Sequence, residues 1–167
     1  MRRLARILLT RHETPVGLGS NIKAGIGAAL GMTFVGYLAS ATGLPLLLAP
    51  LGATAVLLFG QPSSPLAQPI NVMLGFLVGT IICELSFWLF PGEWLAAALA
   101  LGVTIVAMRT LRITHPPAGA MPILTFGDPI HGLQLFSVVL IGCVVLIALA
   151  VLVHNIPPKR EYPLRAD

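Results

Sequence analysis

The amino-acid sequence predicts an all-α membrane protein of six membrane segments, built as two inverted three-segment repeats with a short proline-initiated half-helix in each. Three observations carry that expectation. The 167 residues are 56% hydrophobic and only 10% charged, with mean hydropathy +0.92, whereas soluble domains carry roughly 25% charge. Four apolar runs approach the roughly 20 residues that cross hydrocarbon. A thirteen-residue motif occurs twice without gaps.

The elements follow in chain order. Residues 1–20 read as a basic interfacial segment, in which Leu4, Ile7, Leu8 and Leu9 stand between arginines as in a short amphipathic helix on the membrane surface. The apolar core there is too short, and is interrupted by Arg11, for a cleavable signal peptide. The transmembrane domain covers residues 21–155, with long helices at about 22–41, 68–90, 94–110 and 133–154. Two shorter stretches remain, Leu51 to Gly60 and Ala118 to Gly127, each opened by proline and closed by Gly-x-Pro. Ten helical residues rise about 15 Å, half of the hydrocarbon core, so neither spans alone. Each completes a crossing only with the extended segment before it, Leu44 to Ala49 or Ile113 to Pro116, and only where that irregular backbone is buried in protein or lines a wet cavity. Residues 156–167 form a cytoplasmic tail, too short for a further domain.

Basic residues sit where apolar runs end. Arg2, Arg3, Arg6, Arg11 and Lys23 precede the first, Arg109 and Arg112 close a later one, and Lys159, Arg160 and Arg165 lie in the tail. The positive-inside rule makes all three groups cytoplasmic, which requires an even number of crossings and puts both termini inside, in a bacterial inner (plasma) membrane. A five-crossing alternative, with one short segment dipping in and out, would place the basic tail outside. This distribution is not a nucleic-acid footprint. Cys83 and Cys143 lie within apolar runs and read as small buried hydrophobes rather than a disulfide or thiolate metal site.

Pro50, Gly52, Ala53, Leu57, Phe59, Gly60 and Pro62 recur as Pro117, Gly119, Ala120, Leu124, Phe126, Gly127 and Pro129, an offset of sixty-seven residues. Val56 falls on Ile123, and Leu66, Val72, Gly75 and Val78 fall on Leu133, Val139, Gly142 and Val145. Repeat 1 spans about 22–90 and repeat 2 about 94–155. An odd number of crossings per repeat turns the second copy over, the arrangement in which broken helices mark a transport site near the midplane. The alternative is small residues serving only close helix packing.

Proline belongs in a helix's first turn, and glycine and alanine after it are expected to leave first-turn amides uncovered, an anion site. The substrate-binding candidates are therefore Pro50, Gly52, Ala53, Thr54, His115, Pro116, Pro117, Gly119 and Ala120. A helix end contributes only about 0.3 to 2 kcal/mol, far less than the desolvation of a small anion, so hydrogen bonds of about 1.5 to 3 kcal/mol each must supply most of the binding. His115 is also a candidate for gating or proton transfer, and Glu84, a carboxylate inside the third helix, for proton coupling or an interfacial role. Gln68 and Asn71 open the third helix, as vestibule or packing residues; Arg109 and Arg112 read as topology anchors. No zinc spacing, serine triad, phosphate loop or carboxylate pair occurs, so neither an enzyme nor a cofactor or metal is expected.

The run Thr114-His115-Pro116-Pro117-Ala118-Gly119-Ala120 resembles the signature of the HPP family of membrane proteins, and Pro50 to Pro69 is similar to that family's second signature. The resemblance extends from about Asn21 to Asn155. Some cyanobacterial and plastid members are associated with nitrite transport, so the resemblance implies nitrite or a similar small anion. Two positions depart from the family pattern: Phe76 follows Gly75 where many members carry histidine, and Met121 stands where many carry a polar residue. The expected function is thus a transporter or channel for a small monovalent anion, nitrite first. The alternatives are a channel for small neutral solutes and a structural or sensory subunit without a pore. Gly25, Gly27, Gly31 and Gly36 on the first long helix suggest close packing against a second subunit in a homo-oligomer.

Overall fold

The structure, a computed structural model, describes residues 2–127 and 130–165. These fold into α1 (Arg2–Leu9), α2 (Leu18–Thr42), α3 (Ala49–Ala55), α4 (Pro69–Leu89), α5 (Trp94–Thr110), α6 (Met121–Gly127) and α7 (Leu133–Asn155), with no strand among the described residues. A π turn over Val56–Gly60 prolongs α3, forming the first short helix; a 3-10 turn over Pro116–Ala120 leads into α6, forming the second. The two short helices begin and end sixty-seven residues apart, at Ala49 and Pro116 and at Gly60 and Gly127.

Local chemistry sets these boundaries. Pro69 is the first residue of α4, and Pro50 and the Pro116-Pro117 pair stand in the first turns of the short helices, where a missing N–H is harmless. Helix α2 ends where Gly43 takes φ 72°, its N–H donating to the Ala39 carbonyl at 2.9 Å. Helix α5 ends in the same left-handed conformation without glycine: Arg112 has φ 61°, and the Ile113 N–H closes the cap on the Met108 carbonyl at 3.0 Å.

Among the described residues, three helices are long and apolar enough to cross a bilayer: α2, α4 and α7. Helix α5, with 17 residues, reaches about 25 Å, the lower limit for a span. Their outward faces carry Ile26, Leu30, Leu74, Leu99, Val106, Leu140 and Leu152, all exposed, as hydrocarbon-facing surfaces require. The extended link from α2 to α3 satisfies much of its own backbone: Leu46 N–H donates to the Leu44 carbonyl at 2.8 Å and Leu48 N–H to the Leu46 carbonyl at 2.9 Å.

Packing is reciprocal between the halves. Helix α2 packs on α7 as α5 packs on α4; the first short helix packs on α2 and α7, the second on α5 and α4; and α4 packs on α7. Gly75, Gly79 and Cys83 meet His115, Ala118 and Met121 in turn, so the second short helix runs parallel to α4. The first runs parallel to α7, since Leu51 lies against Gly142 and the Leu58 carbonyl meets His154 further along. Glu84, late in α4, reaches Gly132 at the start of α7, so those two helices are antiparallel. The two short helices therefore run in opposite directions.

Most glycines of α2 turn inward rather than toward a neighbouring molecule. A Cβ on Gly27 would come 2.7 Å from a Phe59 ring carbon, one on Gly31 3.1 Å from a Leu146 methyl, and one on Gly36 3.6 Å from Leu47. They admit the first short helix, its link and α7 within the same chain, so they do not argue for a second subunit; Gly19 and Gly25 face open space.

Candidate functional site

The first turns of the two short helices lie side by side, and one polar contact joins them. His115, the residue before the second short helix, is fully buried, with Nε2 2.9 Å from the hydroxyl of Thr54, itself fully buried one turn into the first. On its other edge, Nδ1 lies 2.8 Å from the Leu66 carbonyl. That carbonyl is available because the next amide position of the Pro65–Ala67 turn falls on Pro69, which has no N–H. Phe76 covers the ring at a centroid distance of 5.2 Å. Gly75 makes the approach possible: a Cβ there would stand 2.7 Å from His115 Cβ. Asn71 Nδ2 donates to the Thr114 carbonyl at 3.1 Å and fixes the preceding residue.

The protons of this cluster follow from its acceptors. A carbonyl can only accept, so Nδ1 carries hydrogen and donates to Leu66. Neutral His115 then has a lone pair at Nε2, which takes the Thr54 hydroxyl proton. The same hydroxyl stands 2.9 Å from the Pro50 carbonyl, its partner one turn back. If the ring gains a proton, Nε2–H donates to the Thr54 oxygen and the hydroxyl turns to Pro50. Both protonation states are thus fully hydrogen-bonded, and they differ by one hydroxyl rotation.

Of the residues expected to bind substrate, Pro50, Thr54, His115, Pro117 and Gly119 are buried at or beside this junction, and Gly52 is half-buried. Ala53, Pro116 and Ala120 are exposed on the outward side. The expectation of uncovered first-turn amides is not met. Leu51 and Gly52 donate to the Leu48 carbonyl at 3.0 and 3.4 Å, Ala118 donates to the His115 carbonyl at 3.0 Å, and the prolines have no N–H. The tight starts direct cap carbonyls at their own first turns, so an anion would find few donors there.

Glu84 stands apart from the junction. It lies nine residues beyond Gly75 on α4, about 13 Å along the helix. Its carboxylate accepts from the Gly132 N–H at 2.8 Å and approaches His131 Nδ1 at 3.6 Å, while His131 stacks on Phe87. It ties the start of α7. Gln68 braces loops, donating to the Pro62 and Ser64 carbonyls at 2.9 Å each and accepting from Leu164 N–H. Cys83 and Cys143 are buried, as expected of apolar-run cysteines.

Sequence reasoning passed over two contributors. The Gly75-x-x-x-Gly79 spacing on α4 was a legible sign of close backbone approach; at Gly79 a Cβ would meet the Ala118 carbonyl oxygen at 2.6 Å. Thr80 is fully buried one turn from Phe76, with a hydroxyl that has no hydrogen-bond partner among the described residues. A hydroxyl in an apolar helix was the signal.

The family described as "HPP, transmembrane region" matches residues 13–163. Two transmembrane proteins of Dictyostelium discoideum are similar: DDB_G0273707/DDB_G0273361 at 34% identity over 71% of this chain and 40% of that protein, and DDB_G0269096 at 31% identity over 72% of this chain and 45% of that protein. The chain thus spans less than half the length of these relatives. No solved structure matches it.

Proposed function

This chain belongs to the HPP transmembrane family, and on that premise we propose that it transports a small monovalent anion along a path that the His115–Thr54 contact closes in this conformation. The reading makes the halves an inverted pair. Six crossings are each completed where needed by a link and a short helix, with both termini on the cytoplasmic side of a bacterial plasma membrane. The observation that supports it is that two oppositely directed short helices bring their first turns together at a single polar contact, within otherwise apolar surroundings.

Parting that contact would present the Thr54 hydroxyl and, once the ring carries a second proton, an Nε2–H donor to a solute. Two hydrogen bonds to an anion contribute about 1.5 to 3 kcal/mol each, too little to replace a hydration shell, so the ion passes partly hydrated or with a proton. Such weak binding suits passage. Nitrite is the first substrate to try, from the family resemblance. A homo-oligomer is part of the proposal: Leu47, Ala49, Val56, Pro116, Ala120 and Ile123 are exposed along the links and short helices. Lipid cannot satisfy irregular backbone at that depth, so a second subunit covers it.

The full burial of His115 favours a second reading, a non-transporting scaffold. Uptake into liposomes of nitrite, nitrate, formate, chloride and uncharged glycerol separates the readings, measured for the wild type and Thr54→Val. Anion uptake above protein-free liposomes, changed about tenfold in Thr54→Val, is expected from the loss of one hydrogen bond worth about 1.4 kcal/mol. Glycerol uptake alone would make it a neutral-solute channel, and no uptake a scaffold.

A further inference from the structure

At the far end of the first short helix, the N-terminal segment, the start of α2 and the tail enclose an open chamber of about 700 Å³. Its basic groups are arranged by the fold rather than simply extended into the surroundings. Lys23 Nζ donates to the carbonyls of Ile156 and Pro158, both at 2.7 Å, which holds the ammonium at the wall with one N–H left over. The Arg160 backbone N–H donates to the His154 carbonyl at 3.2 Å, seating that residue at the rim, and its guanidinium has no partner among the described residues. His154 lies in the wall between Phe59 and Tyr162 and is 3% exposed. Its Nε2–H donates to the Leu58 carbonyl at 2.8 Å, so Nδ1 carries a lone pair, and this buried atom has no partner among the described residues.

Among the lining residues one carboxylate opposes these groups. Glu13 already accepts from Gln61 Nε2 at 3.1 Å. Positive-inside placement explains why basic residues lie on this side of the membrane. It does not explain an ammonium pinned by two backbone carbonyls, an unpaired guanidinium beside it and a buried unpaired ring nitrogen behind them.

We propose that this chamber binds a phosphate-bearing ligand of headgroup size. The phosphate oxygens accept from the Arg160 guanidinium and the remaining Lys23 N–H, the groups suited to a planar fork and a point charge. Ser20 and Ser63 in the lining add hydroxyl donors, and His154 Nδ1 offers an acceptor to a ligand hydroxyl. Size argues against a lone inorganic ion, since pockets of roughly 300 to 1,000 Å³ take ligands of tens of atoms. Two sources share this chemistry: an anionic phospholipid of the adjoining leaflet, to which a basic surface helix such as α1 is also drawn, and a soluble phosphate ester. The inference stands on the chamber alone and does not require the transport reading.

The test is ligand-dependent thermal stabilisation of the purified full chain in neutral detergent, titrated with short-chain phosphatidylglycerol, with short-chain phosphatidylcholine and with glycerol phosphate. Wild type, Arg160→Gln and Arg109→Gln are compared. Arg160 and Arg109 are both exposed side chains, so neither replacement disturbs packing, and Arg109 lies outside the chamber. Saturable stabilisation by phosphatidylglycerol or by glycerol phosphate is expected, with apparent affinity about tenfold weaker in Arg160→Gln and unchanged in Arg109→Gln. Saturation by the lipid alone identifies a headgroup, and by the ester alone a soluble ligand; either supports the site. Equal weakening in both variants, an equal response to phosphatidylcholine, or no saturable response to either phosphate ligand overturns it.

Discussion

Leu48 precedes the first short helix, and sixty-seven residues later His115 precedes the second; Thr54 lies one turn into the first, and Met121 occupies its place in the second. All four side chains are buried. Had both halves kept a histidine and a threonine, the interface would hold two polar pairs; had both kept leucine and methionine, none. Instead each half supplies one partner of a single pair; without the other half His115 would lose the partners of both ring nitrogens, whereas the Thr54 hydroxyl would keep the Pro50 carbonyl. Two similarly packed halves thus supply the geometry while different residues at matched positions supply the chemistry. Leaving the imidazole unpaired at this depth would cost about 1 to 3 kcal/mol, which ties the two halves' register together.

The halves also differ in how a long helix receives a short one. On α4, Gly79 lies against the backbone carbonyl of Ala118; on α7, Gly142 lies against the end of the Leu51 side chain. A carbonyl in a helix cannot yield, whereas a leucine end can turn. Gly79→Ala should therefore destabilise by about 2 kcal/mol through overpacking. Gly142→Ala should cost less than about 1 kcal/mol, partly offset by the better helix propensity of alanine. Thermal unfolding in detergent measures both, and equal losses would erase the distinction.

The ends of α2 and α5 make a finer comparison. Both caps need the left-handed conformation, supplied by Gly43 on one side and forced on Arg112 on the other. Gly43→Ala is expected to cost about 1 kcal/mol, since its Cβ would crowd the following carbonyl. Arg112→Gly is expected to gain about 0.5 kcal/mol, the relieved strain being partly cancelled by the greater freedom of glycine in the unfolded chain. The same unfolding measurements check the signs.

The long helices were legible because hydropathy and length are local properties: the expected 94–110 coincides with α5, and 133–154 falls one residue short of α7. The short helices were legible through proline starts and Gly-x-Pro ends repeated at one spacing. His115 and Thr54 could be singled out as polar residues in the motif, but not as partners, because nothing local states that residues sixty-one apart meet. The amide reading failed for a related reason. Proline marks a helix start, yet only the cap geometry shows that the Leu48 and His115 carbonyls already take the first-turn donors. The packing of the tail on the helices was not legible either: Tyr162 is buried with its hydroxyl donating to the Ala67 carbonyl at 3.0 Å, a contact ninety-five residues apart in the chain. That burial raises its pKa above the usual tyrosine value.

The central claim is that the short helices approach the His115–Thr54 contact from opposite faces of the membrane. Single cysteines at Ser63, beyond the first short helix, and at Leu133, beyond the second, test it directly through labelling of intact and permeabilised cells with a membrane-impermeant thiol reagent. Both positions are exposed, and the native Cys83 and Cys143 are buried. Labelling of Leu133→Cys in intact cells, with Ser63→Cys labelled only after permeabilisation, is the predicted result. Labelling of both positions under the same condition would contradict it.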